Sequence, residues 1–178
     1  MDAELAKRLV DGLREAGINF VTYLPETRLS QILPLIREDP SFQLIPVSSE
    51  AEAVTIAAGA VLGGKQAACY LESTGLYVAS YSLLVMGKQL GVPMLLVVGF
   101  LGDFADQRNH FLYATIGNRT IPLLDGLGIQ HRLLESVEAE KSAGLAITDE
   151  ESIEFAAQSK RSVEEIDRLQ SDLSELVT

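Results

Sequence analysis

Val47-Ser48-Ser49-Glu50-Ala51-Glu52-Ala53-Val54-Thr55-Ile56-Ala57-Ala58-Gly59-Ala60 continues an apolar, strand-like run that begins at Phe42, and opens a helix of small and apolar residues. It places acid at the mouth of that helix, where the unsatisfied N–H groups and dipole of the first turn favour a carboxylate. The alanines and Gly59 behind the acid let the helix pack very close to a sheet. Glu50 has two readings at this point. One is ordinary electrostatics at a helix N-terminus, with Ser48 or Ser49 as cap. The other is a functional acid presented at the end of a strand.

On the N-terminal side, apolar residues at Leu5, Leu9, Val10 and Leu13 predict a helix over Ala3 to Ala16, stopped by Gly17. Asn19 to Leu24 reads as a strand. Leu29 to Ile36 reads as a short helix, with Pro34 close to its first turn. On the C-terminal side, Gly63-Gly64 ends the small-residue helix begun at Glu50, and Gln66 to Leu71 is a third strand. Leu76 to Leu90 is an apolar helix. Met94 to Phe100 is an unbroken apolar run of the kind seen in strands buried on both faces. Strands alternating with helices predict an α/β fold: a doubly wound, mostly parallel sheet with helices on both faces. Ligands of such sheets bind outside the carboxyl ends of the strands. Those ends carry Pro25-Glu26-Thr27, Ser48-Ser49-Glu50, Glu72-Ser73-Thr74-Gly75 and a loop from Gly102 to Asn118, so the candidate motifs converge on one edge.

The 178 residues suit one main domain, assigned to 1–148, followed by a C-terminal helical segment over 149–178. In that segment Val163, Ile166, Leu169, Leu173 and Leu176 mark an amphipathic helix that packs on its own domain or on a partner. Acid exceeds base, 25 residues to 14, for a net charge of −11. From Glu135 onward the 12 acidic and 4 basic residues account for −8, a solvated tail region rather than a site. With no basic patch, nucleic acid and anionic membrane surfaces are excluded as partners. The first helix is too charged for a signal peptide, and no apolar run approaches the roughly 20 residues of a membrane span, which points to the cytoplasm. The single cysteine, Cys69, lies in an apolar strand and reads as a buried structural thiol.

Glu50, Ala53, Ala57 and Gly59, with Leu24-Pro25 after the first strand, Glu72-Ser73-Thr74-Gly75 after the third and Gly91 to Gly99 leading through the fourth, form an ordered set. In that order the chain resembles the pyrimidine-binding domain of thiamine-diphosphate enzymes. The resemblance is to the alpha subunit of sulfopyruvate decarboxylase and the matching half of phosphonopyruvate decarboxylase, over roughly Leu5 to Leu134. It implies one subunit of a two-chain, thiamine-diphosphate-dependent 2-oxoacid decarboxylase, a carboxy-lyase active only with its partner. Glu50 would then be catalytic, sharing a proton with N1′ of the aminopyrimidine, and Glu72, Ser73, Thr74 and Gly75 would hold the pyrimidine with it. Ser73 to Gly75 also read as ordinary capping of the helix that begins near Leu76.

The same resemblance gives His110, in the loop after strand four, a catalytic role in relaying a proton or binding the substrate carboxylate. Pro25, Thr27 and Arg108 become substrate-binding candidates. His131, after strand-like Gly128-Ile129, reads as structural, and Glu52 as a solvent-facing or interface acid. No Gly-Asp-Gly with downstream ligands is present, so the chain is assigned no metal of its own. Magnesium and the cofactor's diphosphate would belong to a beta subunit, with this chain a homodimer alone and a heterotetramer with that partner. Glu72 stands where the family more often has an amide. Phe100-Leu101 stands where it tends to carry an arginine suited to a sulfonate or phosphonate. These departures favour a non-catalytic or regulatory homologue as the alternative. A flavodoxin-like nucleotide- or acyl-binding domain would need a glycine-rich loop after strand one, and Leu24-Pro25-Glu26-Thr27 is not one.

Overall fold

The computed structural model describes residues 3–27, 30–102 and 111–133. Four strands form one parallel sheet in the order β2-β1-β3-β4: β1 (Phe20–Tyr23), β2 (Gln43–Pro46), β3 (Ala67–Glu72) and β4 (Leu95–Gly99). Helices lie on both faces. On one face α1 (Ala3–Glu15) and α2 (Ile32–Glu38) bury Ala6, Val10, Leu13, Ile32 and Ile36 against Val21, Tyr23, Ala68 and Tyr70. On the other, α3 (Glu50–Leu62) and α4 (Ser73–Ser82) bury Val54, Ala57, Val61, Leu76 and Ala79 against Phe20, Cys69 and Leu71. Side chains alternate across each strand, so one sequence serves two cores.

The boundaries have local causes. Gly17 and Gly64, both at positive φ, let the backbone reverse where a side chain would be strained. Arg14, at the end of α1, bonds Asp11 and also Asp39 at 2.9 Å, tying α1 to the turn after α2. The first turn of α3 is anchored from below: Thr22 Oγ1 donates to the Ala53 carbonyl at 3.1 Å, and Cys69 Sγ lies 3.6 Å from the same oxygen. Both side chains are fully buried. Burial pushes the Cys69 pKa up to about 11, so this thiol is structural, as its sequence context suggested.

Four expectations need correction. The apolar run of β4 is not buried on both faces: Leu95 to Val98 are half-buried, because β4 is the outer strand among the described residues while β1 and β3 take the centre. The helix expected from Leu76 starts at Ser73, with no loop residue after β3, and passes after Ser82 into a π-helical segment, Leu83–Gln89. Apolar periodicity does not distinguish i→i+4 from i→i+5 bonding, so the wider turn was not visible in the sequence. The loop placed at Gly102 to Asn118 is helical from Phe111, where α5 (Phe111–Gly126) begins. Ile129 is not in a strand, and His131 is exposed, with Nδ1 3.1 Å from the Ile129 carbonyl. Residues 134–178, which include the proposed 148/149 boundary and the amphipathic C-terminal helix, lie outside the described residues.

Candidate functional site

Glu50 is the first residue of α3, and the structure separates it from the capping role. Ser49 is the N-cap, its hydroxyl accepting from the Glu52 N–H at 3.2 Å. Glu52 reaches back in turn: Ser48 N–H and Ser48 Oγ each donate to Glu52 Oε2 at 2.7 Å. This reciprocal arrangement satisfies the open end of the helix. Those two bonds from Ser48 hold the Glu52 carboxyl below the usual carboxylate range. Glu52 is therefore the capping acid, its exposed carboxylate turned back to Ser48. Glu50, half-buried, has no hydrogen-bond or ion-pair partner among the described residues.

What Glu50 does touch is the start of α4. A Cβ built on Gly75 would stand 2.7 Å from both Cδ and Oε1 of Glu50, and closer still to Cγ. A glycine here lets the two helix N-termini close with the Glu50 side chain in the rotamer it holds. Around Gly75 the polar groups are committed. Ser73 is fully buried, and its hydroxyl accepts from the Leu101 N–H at 3.0 Å, fixing the chain just after β4. Thr74 Oγ1 donates to Glu72 Oε2 at 2.8 Å. Glu72 is the N-cap position of α4 but makes no side-chain cap bond, so the capping reading of this turn does not hold. The structure thus brings Glu50, Glu72, Ser73, Thr74 and Gly75 together at the carboxyl edge of the sheet.

A second constellation lies at the same edge. The Glu26 carboxylate rests where a Gly99 side chain would project, 3.1 to 3.2 Å from a Cβ built there. Tyr70, on β3, is 1% exposed, and its hydroxyl faces the Glu26 carboxylate. Burial first, and then the neighbouring Glu26 carboxylate, raise the Tyr70 pKa well above the ordinary tyrosine value. The phenol therefore stays protonated. Sequence reading placed Glu26 at the end of the first strand without a role and did not single out Tyr70. The available signal was its place two residues before Glu72 on the same strand, hence on the same face.

Of the substrate-binding candidates, Pro25 and Thr27 are exposed just past β1. Arg108 and His110 lie outside the described residues. Among the described residues, the four strand ends carry Glu26, Glu50 and Glu72 and no lysine or arginine. The described residues also hold no group of three or more His, Cys, Asp or Glu side chains able to bind a metal ion. No described helix is long and apolar enough to cross a membrane.

Comparison with known proteins gives a consistent result. Residues 3–116 match the family described as thiamine pyrophosphate enzyme, N-terminal TPP binding domain. The alpha subunit of sulfopyruvate decarboxylase from Methanocaldococcus jannaschii is 31% identical over 99 residues, 56% of this chain and 59% of that one. The protein of the same name from Methanothermobacter thermautotrophicus is 28% identical over 147 residues, 81% of this chain and 87% of that one. Phosphonopyruvate decarboxylase from Streptomyces viridochromogenes is 27% identical over 122 residues, 67% of this chain and 31% of that one. The match spans 59% and 56% of the length of the M. jannaschii and Methanococcus maripaludis relatives.

Proposed function

The chain belongs to the thiamine pyrophosphate enzyme family as an N-terminal, TPP-binding domain, and we propose that it is the pyrimidine-binding subunit of a two-chain 2-oxoacid decarboxylase. The observation that carries this reading is the Glu50 carboxyl, without a partner among the described residues and seated directly on Gly75 at the carboxyl edge of the sheet. A half-buried carboxyl kept out of the helix cap is left open to a partner from outside the described residues, and a ring nitrogen able to share a proton fits it. The names of the relatives, sulfopyruvate and phosphonopyruvate decarboxylase, support the reaction class.

The residues at the edge fit the group the family binds. Bound thiamine diphosphate supplies an electron sink for loss of carbon dioxide from a 2-oxoacid. Glu50 holds the proton shared with the aminopyrimidine. Gly75 leaves room for the Glu50 side chain to stay in place. Ser73, through Leu101, fixes the chain after β4, and Glu72 with Thr74 offers an acceptor to the pyrimidine's amino group. Pro25 and Thr27 border the substrate, and Arg108 and His110 are carried into this reading as substrate-binding and catalytic residues. Magnesium and the diphosphate are held by a beta subunit in this reading.

Glu50→Gln tests the reading. Glutamine can hydrogen-bond but cannot share a proton, so turnover of the complex should fall by about 10²–10⁴-fold while unfolding stays at the wild-type midpoint. Near-normal turnover would remove Glu50 from the mechanism. The isolated chain should bind thiamine diphosphate weakly by calorimetry, and tight magnesium-dependent binding would contradict a split site. Assembly as a homodimer alone and a heterotetramer with the beta subunit is supported by an apolar surface on α4 and its π-helical continuation. There Tyr77, Val78, Tyr81 and Leu84 are 37%, 58%, 77% and 41% exposed. Sedimentation at micromolar concentration should show at least a dimer, and a clean monomer would refute that assembly. The non-catalytic alternative draws on Glu72, whose carboxyl is already bonded to Thr74. It predicts that Glu50→Gln changes nothing.

A further inference from the structure

The turn that carries Glu50 is fixed both from within and from below. Within the helix, the Ala53 N–H donates to the Ser49 carbonyl at 3.0 Å, closing residues 49–53 into the first turn of α3 with Glu50 inside it. From below, the sheet holds the other end of the same residue. Thr22 Oγ1 donates to the Ala53 carbonyl at 3.1 Å, and Cys69 Sγ lies 3.6 Å from that oxygen. Thr22 and Cys69 are register partners on β1 and β3, the two central strands. Both are 0% exposed, as is Ala53.

Packing alone does not call for this arrangement. In an α-helix the Ala53 carbonyl is already supplied by the N–H four residues on, and α3 continues to Leu62. A buried hydroxyl costs free energy unless it is bonded, and valine would fill the same space on a central strand without that cost. What the hydroxyl adds is direction. Contacts between small side chains and a sheet are non-directional and let a helix slide, whereas a hydrogen bond sets distance and angle. The opposite side of Glu50 rests on Gly75, so a slide of the first turn of α3 over the sheet would also move the carboxyl against α4.

We propose that Thr22, with Cys69 beside it, is a positioning residue of the reaction: its hydroxyl sets the place of the Glu50 carboxyl by holding the Ala53 carbonyl to the sheet. The proposal rests on the decarboxylase reading above and adds to it a residue that acts only through Glu50.

The test uses the complete complex, with pyruvate, sulfopyruvate and phosphonopyruvate as probes, the one turned over fastest being carried forward, and calorimetric titration of thiamine diphosphate. Thr22→Val keeps the shape and removes the hydroxyl. It should lower kcat by about tenfold, the scale of a displacement somewhat under 1 Å at a reacting group. KM and cofactor affinity should stay within about threefold of wild type, because the lost interaction serves the transition state. Thr22→Ser keeps the donor and should recover most of the loss in kcat, whereas a merely structural role would follow the missing methyl group. In the Glu50→Gln background Thr22→Val should cost less than about twofold more, since a residue acting through Glu50 then has nothing left to position. Thr22→Ala, without a hydroxyl and unable to crowd α3, gives the same readings where the valine variant does not fold. Wild-type kcat in a folded hydroxyl-free variant, or an undiminished tenfold loss in the Glu50→Gln background, overturns the positioning role; Glu50→Gln alone still silencing the complex then leaves the decarboxylase reading standing. A complex indifferent to Glu50→Gln overturns both.

Discussion

Gly75→Ala separates stability from function at this site. The added methyl would stand 2.7 Å from Glu50 Cδ and Oε1 and closer to Cγ, against an ordinary contact of about 3.5–4 Å. The Glu50 side chain must therefore move by roughly 1 Å or more, and displacing Cγ means leaving its χ1 well. Rotamer adjustment costs on the order of 0.5–1.5 kcal/mol. The gain in helix propensity from glycine to alanine is up to about 1 kcal/mol. Gly75 is not at positive φ, so alanine accepts the backbone without strain. The two terms nearly cancel, and urea unfolding of Gly75→Ala should match wild type to within about 1 kcal/mol. Function should not survive as well. A displacement of about 1 Å at a proton-sharing group is worth on the order of 10²-fold in rate. Unfolding of the chain and turnover of the complex, measured on the same preparation, give both numbers. Wild-type turnover in Gly75→Ala would show that the placement of Glu50 against α4 has no part in the reaction. A loss of several kcal/mol would show instead that α4 shifts and Glu50 stays.

Gly117→Ala, in contrast, should destabilise strongly. A Cβ there would be 2.5 Å from the Gly102 carbonyl carbon and closer to its oxygen, and because the neighbour is backbone it cannot swing aside. A cost of about 3 kcal/mol is expected in denaturant unfolding, and an unchanged midpoint would contradict the close approach of α5 to the end of β4. The Cys69 thiol, buried and with its pKa pushed up to about 11, should react with a thiol reagent at neutral pH only after denaturation. Prompt labelling of the folded chain would refute its burial. Asp39 and Glu52 both have lowered folded pKa values, through hydrogen bonds from Ser41 and Ser48 respectively. Their contribution to stability is present above the ordinary carboxylate range and is lost as pH falls through the lowered values, so Tm should decline between about pH 5 and pH 3. Glu52→Gln should flatten part of that decline, and an unaltered slope would remove Glu52 from the acid response.

The alternation of strand and helix, the small-residue helix behind Glu50 and the gathering of motifs at strand ends were legible in the sequence, because each depends on local periodicity or on residues a few positions apart. The boundaries of α3 were recovered residue for residue, since Ser49, Glu52 and Gly63-Gly64 state both ends within the segment itself. Long-range partners were not legible. That Glu52 caps while Glu50 stays without a partner among the described residues depends on which side chain turns back to Ser48. That Gly75 leaves Glu50 room for its rotamer depends on α3 and α4 meeting, and nothing in either helix alone declares it. The half-buried outer position of β4 follows from strand order, which apolar character does not encode. The Glu26–Tyr70 pairing needed the sheet itself. Residues 44 positions apart come together only when β1 and β3 pair, which sets the Tyr70 phenol beside the Glu26 carboxylate. The sequence by itself determined the elements and the chemistry they carry. The tertiary structure decided which of those groups are spent on one another and which are left for a ligand, because that depends on packing across the sheet.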